Sequence, residues 1–399
     1  MRARPAIAVV GAGLIGATAA LCLSKRFADY QIHWLDQRAI APPHGLADLS
    51  SRVIACTPGS EAYLASLGVW QGLAAERCQR YTAMRVWDQL GSAGICFEAT
   101  EVGASHLGTI LEVDELLRAL FRQIGKQPNI RLWTGSPVVS LTEVVGSQRS
   151  LVLESGESIP CELVVGADGS RSPLRELAGI HTRIRPMGQT AMVAVVVHQH
   201  AHRQTAWQCF GKSGPLAFLP LPDGPDGQHQ SAIVWSLDDE MAARHQQLED
   251  VELIPLLEAG IDDRLGPISR IRQRATFPLN QLHAQHYVRP GLCLLGDAIH
   301  TLHPLAGQGA NLGLRDVAAL DRELQRAQRR SVQIGHMSVL RRYERSRKLE
   351  NLSMLAGMEV FRHGFGSRSM TLRWLCNQGM RQVNRWGAMK NLLARQAMH

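Results

Sequence analysis

Six residues near the start of the chain, Gly11-Ala-Gly-Leu-Ile-Gly16, restrict what it can fold into more than any other feature. They follow an apolar run at 7–10 that reads as a buried strand and open a helical pattern at 16–27, while a second strand is expected at 31–35, ending at Asp36. Strand, helix and strand of this length make a βαβ unit, in which each glycine has a task if an adenine dinucleotide is bound. Gly11 allows the tight turn, Gly13 lets the backbone approach a pyrophosphate, and Gly16 lets helix and strand pack closely. The helix N-terminus then offers free N–H groups and a positive dipole to the phosphates. Asp36, twenty residues beyond Gly16, is placed to accept hydrogen bonds from the adenosine ribose. The competing reading is a glycine turn that binds nothing, with Asp36 a strand-end turn carboxylate. The motif does not separate FAD from NAD.

A chain of 399 residues with 45% apolar content can bury a large core in two domains, or in one domain carrying an insertion. None of its eight cysteines stand at the spacing of a zinc knuckle or redox pair, which predicts reduced thiols in a cytoplasmic protein. The basic opening, followed by uncharged residues to Leu21, superficially resembles a signal peptide, but the glycine spacing and the globular patterning behind it favour a folded start. No run approaches the roughly 20 apolar residues needed to cross a bilayer.

Short apolar runs alternate with helical patterns, as in an α/β protein: a β-like stretch at 84–98, a helix at 112–124, and strands at 130–133, 138–141, 151–154 and 163–165. From 184 to 275 the runs at 192–197, 216–219 and 232–235 are joined by Gly/Pro/Asp-rich turns, which predicts a mostly antiparallel sheet. A strand at 292–295 and a long helix from about Gly309 resume the earlier pattern, and the chain reads as helical after Ser338.

Two further motifs follow strands. One is Val164-Val-Gly-Ala-Asp-Gly-Ser-Arg-Ser-Pro-Leu-Arg175; the other is Leu292-Cys-Leu-Leu-Gly-Asp-Ala-Ile-His300, continued by His303-Pro-Leu-Ala-Gly-Gln-Gly-Ala-Asn-Leu-Gly-Leu-Arg-Asp316. Taken singly, Asp168 or Asp297 would be an ordinary turn or cap. In this order the three motifs resemble the flavoprotein hydroxylases related to para-hydroxybenzoate hydroxylase, and the third is most similar to the branch that hydroxylates ubiquinone precursors. Stretches at 85–88, 207–210, 214–221, 234–236, 277–279 and 342–347 resemble the same branch.

The resemblance implies a Rossmann-like FAD-binding domain of the glutathione-reductase and para-hydroxybenzoate-hydroxylase type, formed from 1–183 and 276–337. A mostly antiparallel substrate domain at 184–275 would be inserted into it, with 72–100 contributing, and 338–399 would form C-terminal helices. It implies FAD held by Gly11, Gly13, Gly16, Asp36, Arg52, Asp168, Gly169, Gly296, Asp297, Gly307, Gln308, Gly309 and Asn311. Asp297 would accept a ribityl hydroxyl, Arg52 would reach the phosphates or ribose, Arg175 would hold the Asp168 loop, and backbone N–H groups near Gly307 and Gly309 would face the pyrimidine edge. By the same resemblance, His303, Pro304 and Gly307 would form the catalytic flavin-edge loop. Three departures stand out: Ser50 where the family commonly has Asp, Ala310 where a bulky residue is usual, and Val113 where a polar residue often touches the flavin.

The implied reaction is hydroxylation of a polyprenylated aromatic ring by O2 through a flavin C(4a)-hydroperoxide. With only one dinucleotide fingerprint, NAD(P)H or another external donor visits transiently. His300 and His303 are candidates for proton transfer or for capping. His198, His200 and His202 alternate as on one strand face and read as an exposed edge rather than metal ligands. An oxidase or dehydrogenase on the same scaffold, or a non-catalytic flavoprotein subunit, are the rival readings.

The charge is uneven. From Arg341 onward there are twelve Lys or Arg and three acids, against 31 basic and 32 acidic residues before it. Met354, Met358, Phe361 and Phe365 form a helical stripe, and Leu372, Leu375, Val383 and Trp386 lie among further basic residues. Peripheral attachment to the inner face of the membrane is one reading. Packing on the protein itself, or on other ubiquinone-biosynthesis proteins, is another. Nucleic acid is disfavoured, and the sequence sets no oligomeric state.

Overall fold

The structure, a computed structural model, describes residues 4–43, 49–89, 94–146, 148–224, 226–301, 308–365, 390, 391 and 398. Its first sheet runs in the order Val288–Arg289, Leu292–Leu294, Leu163–Gly166, Ala6–Val10, Gln31–Leu35, Ile130–Trp133. All neighbours are parallel except the first pair. Ala6–Val10 is buried along its whole length, as expected of a parallel strand covered on both faces. Helix Leu14–Arg26 supplies part of that cover and packs against helices Val113–Ile124 and Gln308–Arg329. A bidentate Arg26–Asp321 pair at 2.8 and 2.9 Å ties it to the last of these.

The second large sheet runs His300–Thr301, Ile268–Ala284, Thr182–His198, His229–Asp238, Gly214–Pro220, Thr205–Gly211, Ala83–Asp88, Gly94–Glu98. It is antiparallel except where Ala83–Asp88 joins Thr205–Gly211. Strand Ile268–Ala284 continues past residue 275 and hydrogen-bonds with His300–Thr301. Met192, Ala194, Val196, Phe218 and Trp235 face a core shared with Leu253, Leu257, Ile261 and Leu265. Some of that core comes from helices Asp239–Gln247 and Asp250–Gly260, which the strand-like reading of 184–275 did not anticipate. On the opposite face, Val195 and Ala232 pack against Ala55 and Ile110. Those two belong to a small antiparallel sheet ordered Val53–Cys56, Gly108–Glu112, Cys78–Tyr81.

Two of the three histidines at 198–202 correct a sequence expectation, while His200 is exposed as expected. His198 and His202 are 4% and 7% exposed, not an open edge. The His198 ring nitrogens lie 2.9 Å from the His200 carbonyl and 2.9 Å from the Ser231 hydroxyl, while His202 Nε2 lies 2.9 Å from the Leu221 carbonyl. Strand Thr182–His198 ends there, and the chain goes on to strand Thr205–Gly211 of the same sheet. Burial pushes the His198 imidazole down to about 4. The unfolded chain therefore takes up a proton between about 6.5 and the folded value that the fold refuses, so stability is lost as pH falls through that window. The melting temperature should drop from pH 7 to pH 4, and His198→Asn should flatten part of the slope; identical slopes would contradict the assignment.

Candidate cofactor cleft

The glycine turn is locked from below. Gly11 N–H donates to the Leu35 carbonyl at 2.8 Å, and buried Trp34 donates its indole N–H to the Gly11 carbonyl at 3.0 Å. Gly11 has φ +110°, and a Cβ there would lie 2.2 Å from the Ala167 oxygen. A Cβ on Gly16 would lie 1.9 Å from the Gly11 oxygen, whereas one on Gly13 would meet nothing within 4 Å. Two of the glycines are thus closed in by backbone, and the third opens onto the cleft above the helix N-terminus. The Asp36 carboxylate accepts the Ala12 N–H at 2.7 Å and the Arg38 N–H at 2.8 Å, fixing the strand end beside that turn.

The second and third motifs meet here. Ala167 N–H donates to the Val10 carbonyl at 2.7 Å, bringing Asp168 next to the turn. Asp168 Oδ2 accepts the Leu174 N–H at 3.0 Å; its Oδ1 is buried with no partner among the described residues, and burial pushes the carboxyl up. Arg175, 4% exposed, donates to the Ser170 and Ala298 carbonyls, each at 3.0 Å, stapling the Asp168 loop to the turn Gly296–Ala298. Asp297 projects from that turn, exposed on the cleft surface. Although its surface is open to the cleft, protein crowded around the carboxyl thins its hydration and raises it, while His300 and Arg52 pull the other way, so these three groups share one local field.

Arg52 is exposed, and its backbone is held: its carbonyl accepts the Val113 N–H at 3.0 Å and its N–H donates to Ser50 Oγ at 3.1 Å. Glu112, 1% exposed, accepts the Ser50 N–H at 2.7 Å and pairs with Arg77 at 2.7 Å. Sequence reasoning flagged the missing acid at Ser50 but passed over Glu112, which brings a carboxylate to the same loop from another strand.

Behind the Asp297 turn lies a charged cluster that the sequence reading did not assemble. Asp316, fully buried, accepts the Gly296 N–H at 3.0 Å and pairs with His300 Nε2 at 2.7 Å and Arg347 Nε at 2.7 Å. Burial alone would raise this carboxyl, but the facing His300 and Arg347 hold it below the usual range. Arg347 comes from helix Met337–Phe365 and also contacts Glu350 and Asn351. His300 is 1% exposed and its Nδ1 has no partner among the described residues.

Gln308 and Gly309 begin helix Gln308–Arg329. Asn311 is 0% exposed, donates to the Ala55 carbonyl at 2.8 Å and accepts the Thr57 N–H at 3.0 Å, clamping this helix to the strand after Arg52. His303, Pro304 and Gly307 lie outside the described residues. The donor set fits an adenine dinucleotide with a flavin: an open glycine at a helix N-terminus, an acid at the second strand end, and unpartnered polar atoms at Asp168, His300, Thr301 and Gln308 along the third and second motifs.

Comparison with known proteins agrees with that geometry. Residues 4–352 match the family model described as FAD binding domain. The chain is 33% identical over 395 residues to 3-demethoxyubiquinol 3-hydroxylase of Escherichia coli (strain K12), covering 98% of each. It is 32% identical over 393 residues to ubiquinone hydroxylase UbiL of Rhodospirillum rubrum, covering 98% of this chain and 89% of the relative. Among solved structures, p-nitrophenol 4-monooxygenase PnpA from Pseudomonas putida DLL-E4 superposes with a TM-score of 0.76 at 17% identity, covering 99% of this chain and 98% of that one. PqsL of P. aeruginosa superposes with a TM-score of 0.73 at 19% identity, covering 88% and 94%.

Proposed function

We propose, for a chain that belongs to the FAD-binding family matched over residues 4–352 and to its ubiquinone-hydroxylase branch, that it uses FAD and O2 to hydroxylate the ring of a polyprenylated phenol or quinol in ubiquinone biosynthesis. The observation that carries this is the convergence of three separated motifs on one cleft, beside which the eight-stranded sheet is fastened through His300–Thr301 and through Val195 and Ala232 on Ala55 and Ile110. Bound FAD supplies the oxygen-activating chemistry, and the polypeptide supplies orientation and exclusion of water. Gly13 and the helix N-terminus would receive the pyrophosphate, Asp36 the ribose, and Asp297 a ribityl hydroxyl. Arg52, near Asp297, would neutralise charge on the cofactor side of the cleft. The sheet face with Val193, Val234 and Ala217 would hold an apolar ring and the start of its prenyl chain. A nicotinamide nucleotide, or another external donor, would deliver electrons to the same cleft. We read 1–183 with 276–337 as the FAD-binding unit, 184–275 with 72–100 as the substrate unit and 338–399 as a C-terminal basic helical segment, whose start packs on the FAD-binding unit through Tyr343 and Arg347.

Purified protein is expected to carry stoichiometric yellow flavin, and a deletion strain to accumulate the unhydroxylated quinone precursor. A colourless protein that refuses FAD on reconstitution would overturn the reading, and an unchanged quinone profile would remove its biosynthetic part.

Contact with a membrane surface belongs to the same proposal. No helix among the described residues is long and apolar enough to cross a bilayer. Helix Met337–Phe365 presents Leu349 and Leu352, 76% and 44% exposed, next to basic residues. The side chains of Met358, Phe361 and Phe365, together with 366–389, lie outside the description. Lys390 is engaged instead with Glu101 at 2.6 Å and the Cys96 carbonyl at 3.2 Å, so that point of the segment docks on the protein itself. Full-length protein should float with anionic liposomes more than a chain ending at Ser353, which keeps Arg347 and Asn351 in the buried cluster; equal flotation would remove the membrane role.

A further inference from the structure

The face of the eight-stranded sheet that looks toward the cofactor unit carries a row of side chains fixed by register. Val193 stands opposite Val234, Val234 opposite Ala217, Ala217 opposite Gln208, and Gln208 beside Val86. Two residues along the same strands, roughly 7 Å away, Val195 and Ala232 pack on Ala55 and Ile110, the strands adjoining Arg52. In the other direction the sheet is fastened to His300–Thr301, next to the Asp297 turn. The row therefore spans the part of the wall between two attachments to the cofactor unit. Every member named is apolar except Gln208.

Gln208 is 6% exposed, yet its side-chain amide makes no hydrogen bond to the described residues. A primary amide embedded in an apolar wall carries a desolvation cost that a partner would offset. It can donate through NH2 and accept through C=O at once, which matches two neighbouring oxygen substituents on one ring, such as a hydroxyl beside a carbonyl or an ether.

We propose that Gln208 is a specificity-determining residue, whose amide hydrogen-bonds the oxygen substituents of an oxygenated aromatic substrate and so decides which ring carbon faces the flavin. The inference rests on the hydroxylase reading above and names the group that selects the substrate. Discrimination of this kind is steep, because a ring lacking the matching oxygen leaves the buried amide unpaired.

The test uses FAD-loaded enzyme, a geranylated hydroquinone as probe, and two variants. Gln208→Met keeps size without polarity, and Gln208→Glu keeps the acceptors without the donor. Binding is read from the change in flavin absorbance of oxidised enzyme; coupling is read from hydrogen peroxide released per reduced flavin reoxidised in single turnover. Gln208→Met is expected to raise the quinol Kd about tenfold and to divert turnovers to hydrogen peroxide, with FAD affinity unchanged. Gln208→Glu should fall short of wild type in the same two readouts. Wild-type Kd and coupling in both variants would overturn the proposal, as would failure of the wild-type protein to bind the probe. Binding without hydroxylation by wild type would instead sink the hydroxylase reading, and the Kd ratio would still decide the role of Gln208.

Discussion

An Arg347→Met protein is expected to be about 3–5 kcal/mol less stable than the parent at pH 7 and to lose FAD on gel filtration. Arg347 is 2% exposed and its Nε meets Asp316, which is fully buried; removing it leaves a carboxylate in the interior that, among the described residues, hydrogen-bonds His300 and one backbone N–H. The Asp316 carboxyl sits below its usual range in the fold. Its ionised form therefore contributes stability above about pH 3.9, and that contribution is lost only as pH falls through the lower folded value. Denaturation at neutral pH thus reads the whole effect. The flavin loss follows because Asp316 also holds Gly296, the residue before Asp297. Arg342→Met, which breaks a pair with Glu323 nearer the surface, is the comparison and should cost under about 1 kcal/mol. Equal losses in the two variants would show that the buried cluster has no special weight.

The glycine turn yields a sharper contrast. Gly13→Val should fold with the stability of the parent apoprotein, within about 0.5 kcal/mol, and bind FAD more than about 100-fold more weakly. Gly13 has φ −73°, which any residue adopts, and its Cβ would extend into open space where the phosphates are expected. Gly16→Val should instead fail to fold, since its Cβ would lie 1.9 Å from the Gly11 oxygen. Comparing apoproteins matters because bound ligand adds stability of its own. Circular dichroism melts and a flavin titration read both quantities. A Gly13→Val protein isolated with full flavin would show that the pyrophosphate does not pass over that residue.

The parts of this protein legible in sequence were those governed by short-range rules. The strands at 31–35, 130–133 and 138–141 coincide with Gln31–Leu35, Ile130–Trp133 and Val138–Leu141, because compact apolar runs between turn residues leave few alternatives. The fingerprint gave the first helix and its neighbours, although that helix begins at Leu14 rather than Gly16. What stayed hidden depends on distant partners. Helix Asp250–Gly260 has Pro255 inside it and follows a strand-rich stretch, so its pattern was masked. Asn311 read as a residue of the FAD-holding loop from its place in the motif, and nothing in the sequence signalled that its amide engages Ala55 and Thr57, more than 250 positions earlier. The Asp316–Arg347 pair joins two helices whose separate patterns show only a charged residue each. His198 read as exposed because alternation records which side a residue takes, not what covers that side.

In the parallel sheet, Leu163–Gly166 is sandwiched between Ala6–Val10 and Leu292–Leu294. Leu163–Gly166 must therefore keep one edge open until a strand made after most of the second sheet arrives, and the dinucleotide cradle closes only after the turn Gly296–Ala298 has been made. Assembly dominated by such remote pairings is slow and leaves apolar strand edges bare meanwhile.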